Sequence, residues 1–572
     1  MSALDVAQAL WLLVAAIGLA LSVSYAGLPV LGAGAFLAVG GYGTALLGPG
    51  GADWPLGLAV LASVGLAAVA GWLVALGASR LEGPYLALAT WALAWLVQRC
   101  LLAYPGRFGG TDGRTAPSPA HLVSPALGLD LTLTPRAHVV VSALVCALLL
   151  AALVRLGRGP AGLDLAALRE GPDVAESLGV PVASRRRTVL AVTAALCALS
   201  GAGSTVLLGL VSPDDVSPLV SLELFVAVLL GGTARWWGPV LGIAVLTALP
   251  HVGDALARAG GLDVERSRGV VTALLLVAVV ALRGPLTRRL HRPGPPPAEP
   301  PAVPGAVPGA VSAGAHPVLL EARGLTVRYA GLTALDDAAL ELRGGEVHAL
   351  VGANGSGKST LLKALAGAID AGEVRVDGVA VPARVRARVR AGVVRTAQHT
   401  ALLPHTSPDR QTAVGARVRS DSWAVVRHLL ATPTSRARTE QELARQALHD
   451  TGLEHLVGAD TERVAVGDQR LLQLARAVAT GARVLLVDEP AAGMTAQERV
   501  RLAAVLRRLA GNGLAVLLVE HDMRLVGDVA DRVTVLDVGR VLASGPVEVV
   551  RADPAVHRAY LGAGLSDTEV VR

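Results

Sequence analysis

The sequence predicts a polytopic α-helical membrane domain followed by an α/β domain of the P-loop type, and three observations carry that prediction. Ionisable residues are sparse between Ala7 and Val154, whereas from Leu320 onward Arg, Asp and Glu reach the density of a soluble domain. Apolar runs near the ~20 residues needed to cross hydrocarbon recur through the first half. In the second half, one glycine-rich loop lies between a short apolar strand and a helix. The expected organisation is therefore a membrane domain over 1–290, a Pro/Ala/Gly-rich linker over 291–317 and a nucleotide-binding domain over 318–572.

At 572 residues, 52% hydrophobic and 17% charged, the chain is too long for one core and too apolar for an ordinary soluble protein. The net charge of +6 does not call for nucleic acid, because Arg clusters beside membrane spans give the same balance. Membrane lipid is the expected partner and nucleic acid is not. Cys100, Cys146 and Cys197 sit in apolar runs without metal-ligand spacing and read as small core residues. The only two lysines are Lys358 and Lys363, and Lys358 falls in the glycine-rich loop, where a compact ammonium does what a planar guanidinium does badly.

The first apolar run, Val6 to Val23, lacks the basic flank and cleavage site of a secretory signal and reads as a retained helix. Further runs at Leu28–Leu47, Leu56–Ala78, Pro84–Ala103, Ala137–Val154 and Val189–Leu210 make six crossings. Arg155, Arg158, Arg169 and the triplet Arg185, Arg186, Arg187 mark the loop between the fifth and sixth runs as cytoplasmic. Counting backward places the polar loop Tyr104–Arg136 and the N-terminus outside. An even number of crossings must then separate Arg187 from Arg283. The stretch Ser221–Pro250, interrupted at Gly231, Gly232, Trp236, Trp237, Gly238 and Pro239, reads as two short helices. Eight to ten membrane segments are expected, with no intramembrane charge to mark a solute. The linker lacks apolar periodicity and forms an extended tether of about 3.1 Å per residue where polyproline-like.

In the second domain, Glu346–Val351 reads as a buried strand, followed by Gly352-Ala-Asn-Gly-Ser-Gly-Lys-Ser359 and the helical run Thr360–Ala366. This order makes a phosphate cradle: Gly352, Asn354, Gly355, Ser356 and Gly357 turn backbone N–H groups inward, and Thr360 opens the helix behind them. Lys358 reaches the β and γ phosphates and Ser359 offers a hydroxyl to Mg²⁺. ATP and Mg²⁺ are the expected cofactors. A second strand, Val484–Val487, runs into Asp488, which would hold Mg²⁺, and Glu489, which would orient or deprotonate the attacking water. A third, Leu514–Val519, ends in Glu520-His521-Asp522, and His521 could sense the γ phosphate.

These residues resemble the ABC transporter ATPases over about Leu319–Gly562. The resemblance implies Tyr329 as an adenine-stacking aromatic, Gln398 as a metal and water ligand in the loop that couples to the permease, and His521 as the switch histidine. Arg395-Thr-Ala-Gln398, Asp488-Glu-Pro-Ala-Ala-Gly-Met494 and Asp553-Pro-Ala-Val-His-Arg-Ala-Tyr-Leu-Gly562 resemble the branched-chain amino acid importers in particular. The first half is similar to permeases of the same importers through Tyr25-Ala-Gly27, Leu31-Gly32, Phe36, Gly40-Gly-Tyr42, Gly83-Pro-Tyr85 with Ala87 and Thr90, and Gly109-Gly-Thr-Asp-Gly113. Ala167-Leu-Arg-Glu170 and Ala175-Glu-Ser-Leu-Gly179 match the family's loop that inserts into the ATPase.

Two departures stand out. The family's Leu-Ser-Gly-Gly-Gln signature aligns with Val464-Ala465-Val466-Gly467-Asp468, so only Gly467 of its core is kept, and the Asp468 carboxylate is expected to repel the nucleotide held by the opposite subunit. The acidic residue expected shortly after Glu489 is Thr495. By resemblance the partners are a second permease subunit and a second ABC ATPase, self or paralogue, and an extracytoplasmic solute-binding protein. The expected function is ATP-driven import of branched-chain or related hydrophobic amino acids across the cytoplasmic membrane. Two alternatives stay open: a urea or short-amide importer, and a nucleotide-binding assembly subunit with weak ATPase activity.

Overall fold

The computed structural model describes residues 2–77, 83–116, 134–177, 179–232, 236–259, 277, 281, 316–329, 331–396, 407–416, 435–459 and 464–556. Gln398, most of the linker, the last apolar run before Arg283 and the tail beyond Val556 lie outside them. The chain divides into two compact units, Met1–Arg169 with Val182–Gly294, and Glu170–Pro181 with Pro295–Arg572.

The first unit is built from apolar helices: α1 (Ala3–Ala20), α2 (Ala33–Leu47), α3 (Leu56–Gly77), α4 (Pro84–Ala103), α5 (Pro135–Arg158), α6 (Val182–Leu208), α7 (Pro218–Gly231) and α8 (Gly238–Ala259). Among the described residues, five helices are long and apolar enough to cross a membrane and three apolar helices are shorter. Of these five long helices α1 and α6 are the most enclosed, while α3, α4 and α5 present Leu58, Leu61, Leu88, Leu144 and Leu148 outward, as lipid-facing helices do.

Three expectations need correction. The second run is not a full crossing, because its helix holds 15 residues and spans only about 22 Å, short of a ~30 Å hydrocarbon core. Hydropathy counted Leu28 to Gly32 as helix, yet Gly27 and Pro29 break the ladder there, after a π turn at Leu21–Tyr25. Helix α7 carries an acid within its apolar run, the half-buried Glu223, so the expected absence of intramembrane charge is overturned. Cys146 and Cys197 are buried, but Cys100 is exposed on α4 and is not a core residue.

Small residues bring the helices together. A Cβ on Gly40 would stand 1.9 Å from the Ala198 carbonyl oxygen, and one on Gly201 would stand 2.2 Å from that of Leu37, so α2 and α6 meet backbone to backbone. Hydroxyls add polar ties: Thr193 Oγ1 donates to Gly18 O at 2.9 Å, and Ser221 Oγ accepts from Gly34 N at 2.7 Å.

The second unit holds two sheets. One has four strands in the order β2-β1-β4-β5, from β1 (Val318–Tyr329), β2 (Leu332–Arg343), β4 (Glu373–Val376) and β5 (Val379–Ala380). The other has six in the order β10-β9-β3-β8-β7-β6, from β3 (Val347–Val351), β6 (Val393–Arg395), β7 (Val484–Asp488), β8 (Ala515–Val519), β9 (Arg532–Asp537) and β10 (Arg540–Pro546). All its pairings are parallel except β9 with β10. Strands β3, β7 and β8 are buried at every position, which is why they read as apolar runs, interrupted only by His348 on β3 and ended by Asp488 on β7. Helices α9 (Lys358–Leu365), α10 (Val466–Val478), α11 (Ala496–Gly511) and α12 (Met523–Val529) complete the elements used below.

Candidate nucleotide site

Parallel strands end on one sheet edge, and there the chain gathers the residues singled out from sequence. The glycine-rich loop leaves β3, Asp488 ends β7, Glu520 and His521 follow β8, and Arg395 ends β6. The register Val519↔Asp488 puts the ends of β7 and β8 level, and Leu350↔Val519 does the same for β3 and β8.

The loop is a cradle that side chains would fill. A Cβ on Gly352 would lie 2.2 Å from the Leu536 carbonyl oxygen, and one on Gly357, which holds φ +104°, would lie 2.5 Å from that of Ala334. Ala353, Asn354, Gly355 and Ser359 are exposed, Thr360 is half-buried, and Ser356 is buried. Lys358 Nζ donates to the Gly352 and Ala353 carbonyls at 2.8 and 2.9 Å. Burial lowers its pKa, against the opposing pull of the Glu489 and Asp488 carboxylates.

Asp488 is buried, and its two oxygens differ. Oδ2 accepts from Arg395 Nη2 at 2.8 Å, while Oδ1 has no hydrogen-bond partner among the described residues. An orphaned buried carboxylate oxygen at the end of β7 and an exposed hydroxyl on Ser359 at the start of α9 are oxygen donors of the kind that suit a hydrated Mg²⁺, which is held by one or two protein oxygens and phosphates rather than by an all-protein cage.

Glu489 adopts φ +45°, a left-handed conformation that costs a non-glycine residue energy, and its N–H donates to Val519 O at 2.9 Å. The turn is held from the next strand by Glu520, which sequence reasoning left without a role. Its Oε1 accepts from Ala491 N at 2.8 Å and its Oε2 from His521 N at 3.3 Å, with burial raising its pKa. The only sequence signal was its place in the Glu520-His521-Asp522 triplet. The His521 side chain is largely exposed, and Asp522 caps α12 and pairs with Arg499 at 2.6 Å.

Tyr329 is exposed at the end of β1, in the four-stranded sheet and not on the edge that carries the loop. Ala465, exposed, is the N-cap of α10, with Gly467 and Asp468 buried in its first turn. The Asp468 carboxylate pairs with Arg501 at 2.8 Å, so the repulsion expected of it is corrected: its charge is turned inward and neutralised. Thr495 takes a different task from the missing acid, capping α11 in a reciprocal box with Glu498.

This is an ATP-binding P-loop ATPase unit carried by the same chain as a polytopic helical membrane unit. Residues 5–280 match the family described as "Branched-chain amino acid transport system / permease component", residues 335–492 "ABC transporter", and residues 540–565 "Branched-chain amino acid ATP-binding cassette transporter". The high-affinity branched-chain amino acid transport ATP-binding protein LivG of Salmonella typhimurium is 36% identical over 254 residues, 43% of this chain and 98% of the relative. BraF of Pseudomonas aeruginosa, described in the same words, is 35% identical over 43% of this chain and 98% of its own. The ribose import ATP-binding protein RbsA 2 of Rubrobacter xylanophilus is 34% identical over 43% of this chain and 46% of its own. The chain belongs to the branched-chain amino acid ABC transporter family, with permease and ATPase in one polypeptide in the cell membrane.

Proposed function

We propose that this protein imports branched-chain and related hydrophobic amino acids, with its ATPase on the cytoplasmic side and residues 291–317 as the tether between the two domains. The observation that carries this reading is the agreement of two separate halves on one system. The ATPase half alone discriminates solutes weakly, since a ribose importer's ATPase is nearly as similar as LivG. The permease half and the segment 540–565 favour branched-chain amino acids independently.

In this reading Lys358 leaves the Gly352 and Ala353 carbonyls for the β and γ phosphates, and the N-terminus of α9 receives their charge. Ser359, Asp488 and Gln398 would hold Mg²⁺, which when bound would supply positive charge to the phosphates. Glu489 orients or deprotonates the attacking water, His521 senses the γ phosphate, and Tyr329 stacks on adenine. Ala465, Gly467 and Asp468 belong to a segment that closes on ATP held by a partner ATPase, and an external solute-binding protein delivers the amino acid.

The test is ATP hydrolysis by the full chain in lipid, with its subunits and candidate solute-binding proteins, together with uptake of labelled leucine. Stimulation by a leucine-loaded binding protein, with isoleucine and valine competing for uptake, is expected. Competition by urea and none by leucine, isoleucine or valine would overturn the solute assignment.

A further inference from the structure

Gly467, the one residue kept from the core of the signature, has a task inside its own subunit. Its N–H donates to Glu498 Oε1 at 3.1 Å, and a Cβ there would stand 2.3 Å from that oxygen. The other oxygen of Glu498 accepts from Thr495 N at 2.8 Å and from Thr495 Oγ1 at 2.9 Å. One carboxylate therefore bridges the N-termini of α10 and α11. It satisfies an open donor of α10 that Ala465, with no side-chain acceptor, cannot reach.

Three residues further along α11, on the same face, Arg501 Nη2 donates to Asp468 Oδ1 at 2.8 Å. His455 Nε2 lies 3.8 Å from the second Asp468 oxygen. The Asp468 side chain is 6% exposed and that of Arg501 18%, so this pair is shielded in a way that surface ion pairs are not. The residues that face solvent from the segment are Ala465 and Val466, which carry no charge.

We propose that Glu498 and Arg501 are positioning residues for ATP hydrolysis: they staple the segment Ala465–Asp468 to α11, so that it moves with the turn from Asp488 to Thr495. The inference rests on the reading in which two ATPase units close on ATP. A carboxylate shielded from water and stripped of its partner has to reach solvent or a proton. Without Arg501, Asp468 turns toward the face that Ala465 and Val466 present, where a triphosphate from the opposite subunit carries the same sign of charge. The acid in the signature and the arginine on α11 thus act as a pair, and each accounts for the other.

The experiment uses the full chain in lipid with three readouts: affinity for a fluorescent ATP analogue, ATP-driven association of the ATPase units in a Glu489→Gln background, and hydrolysis in the Glu489 parent. Arg501→Ala is expected to leave nucleotide affinity within twofold while association and hydrolysis fall at least tenfold. Adding Asp468→Asn is expected to recover most of that loss, and Arg501→Lys to stay within threefold of the parent. Parent-like association in Arg501→Ala, or no recovery from Asp468→Asn, overturns the staple alone. If Arg501→Ala does not accumulate, the double variant decides: association near the parent supports the staple and a tenfold loss overturns it. Absence of ATP-driven association in the Glu489→Gln chain, tested both with itself and with its partner ATPase subunit, overturns the importer reading and the staple with it.

Discussion

Nη2 of Arg395 donates to Oδ2 of Asp488 at 2.8 Å, tying the last residue of β6 to the last residue of β7. The register pairs Arg395 with Leu486, on the same sheet face as Asp488, so the guanidinium reaches forward two residues along the neighbouring strand. Arg395→Leu leaves a buried carboxylate without its cation, at a cost of about 3–5 kcal/mol. A lower thermal midpoint and at least a tenfold loss of hydrolysis are expected, with Arg395→Lys intermediate. Parent values for Arg395→Leu in both measurements would show that the pair is idle.

Replacing Glu489 by Gln keeps the volume of the side chain and its left-handed backbone while removing the base. Hydrolysis is expected to fall by roughly 10²–10⁴, with nucleotide affinity within a few-fold of the parent. Equal losses of binding and turnover would mean that the turn, and not the chemistry, had been damaged.

Acid should weaken the second unit through His348, buried on β3 with Nε2 2.8 Å from Thr534 Oγ1. Burial, helped by the Arg532 charge, lowers its pKa from 6.5 to about 4. The unfolded chain takes up this proton as pH falls below 6.5 and the folded chain does not until about 4. Its contribution is therefore complete above pH 6.5 and is lost progressively down to about 4, by roughly 3 kcal/mol. Unfolding midpoints of the parent and His348→Gln between these limits test this: the variant should have the shallower slope.

At the α2–α6 contact, Gly40→Val drives a side chain into the Ala198 carbonyl and is expected to abolish or sharply reduce the yield of folded protein. Gly65→Val, on α3 with open space around it, is the matched control and should accumulate normally. Size-exclusion profiles of the two in detergent distinguish a packing requirement from a general intolerance of larger residues.

The glycine-rich loop, Asp488, Glu489 and His521 were legible because each ends or follows a buried strand that is apolar but for His348 on β3, so a change from apolar to polar residues marks the strand's end. The ties that hold them were not. Arg395 and Asp488 are 93 residues apart, Gly467 and Glu498 are 31, and Ala491 and Glu520 are 29, distances over which no periodicity in the sequence speaks. Asp468 shows only its charge in the sequence, and its ion pair with Arg501 on α11 reverses what that charge implies. In the membrane half, hydropathy found the helices but missed the break before Ala33 and the single acid Glu223, since an average over an apolar window hides both one bend and one charge.

Lys358, held by two carbonyls of its own loop, and Lys363, exposed one turn further along α9, carry every side-chain amine of the chain. Acylating reagents aimed at ordinary surface lysines therefore meet this protein at one short helix. Lys363 gives a fixed reference label, and Lys358, deprotonated more readily than an ordinary lysine, gives a second whose yield reports what covers the loop. Peptide mapping of the two labels turns an accident of composition into a chemical footprint of occupancy.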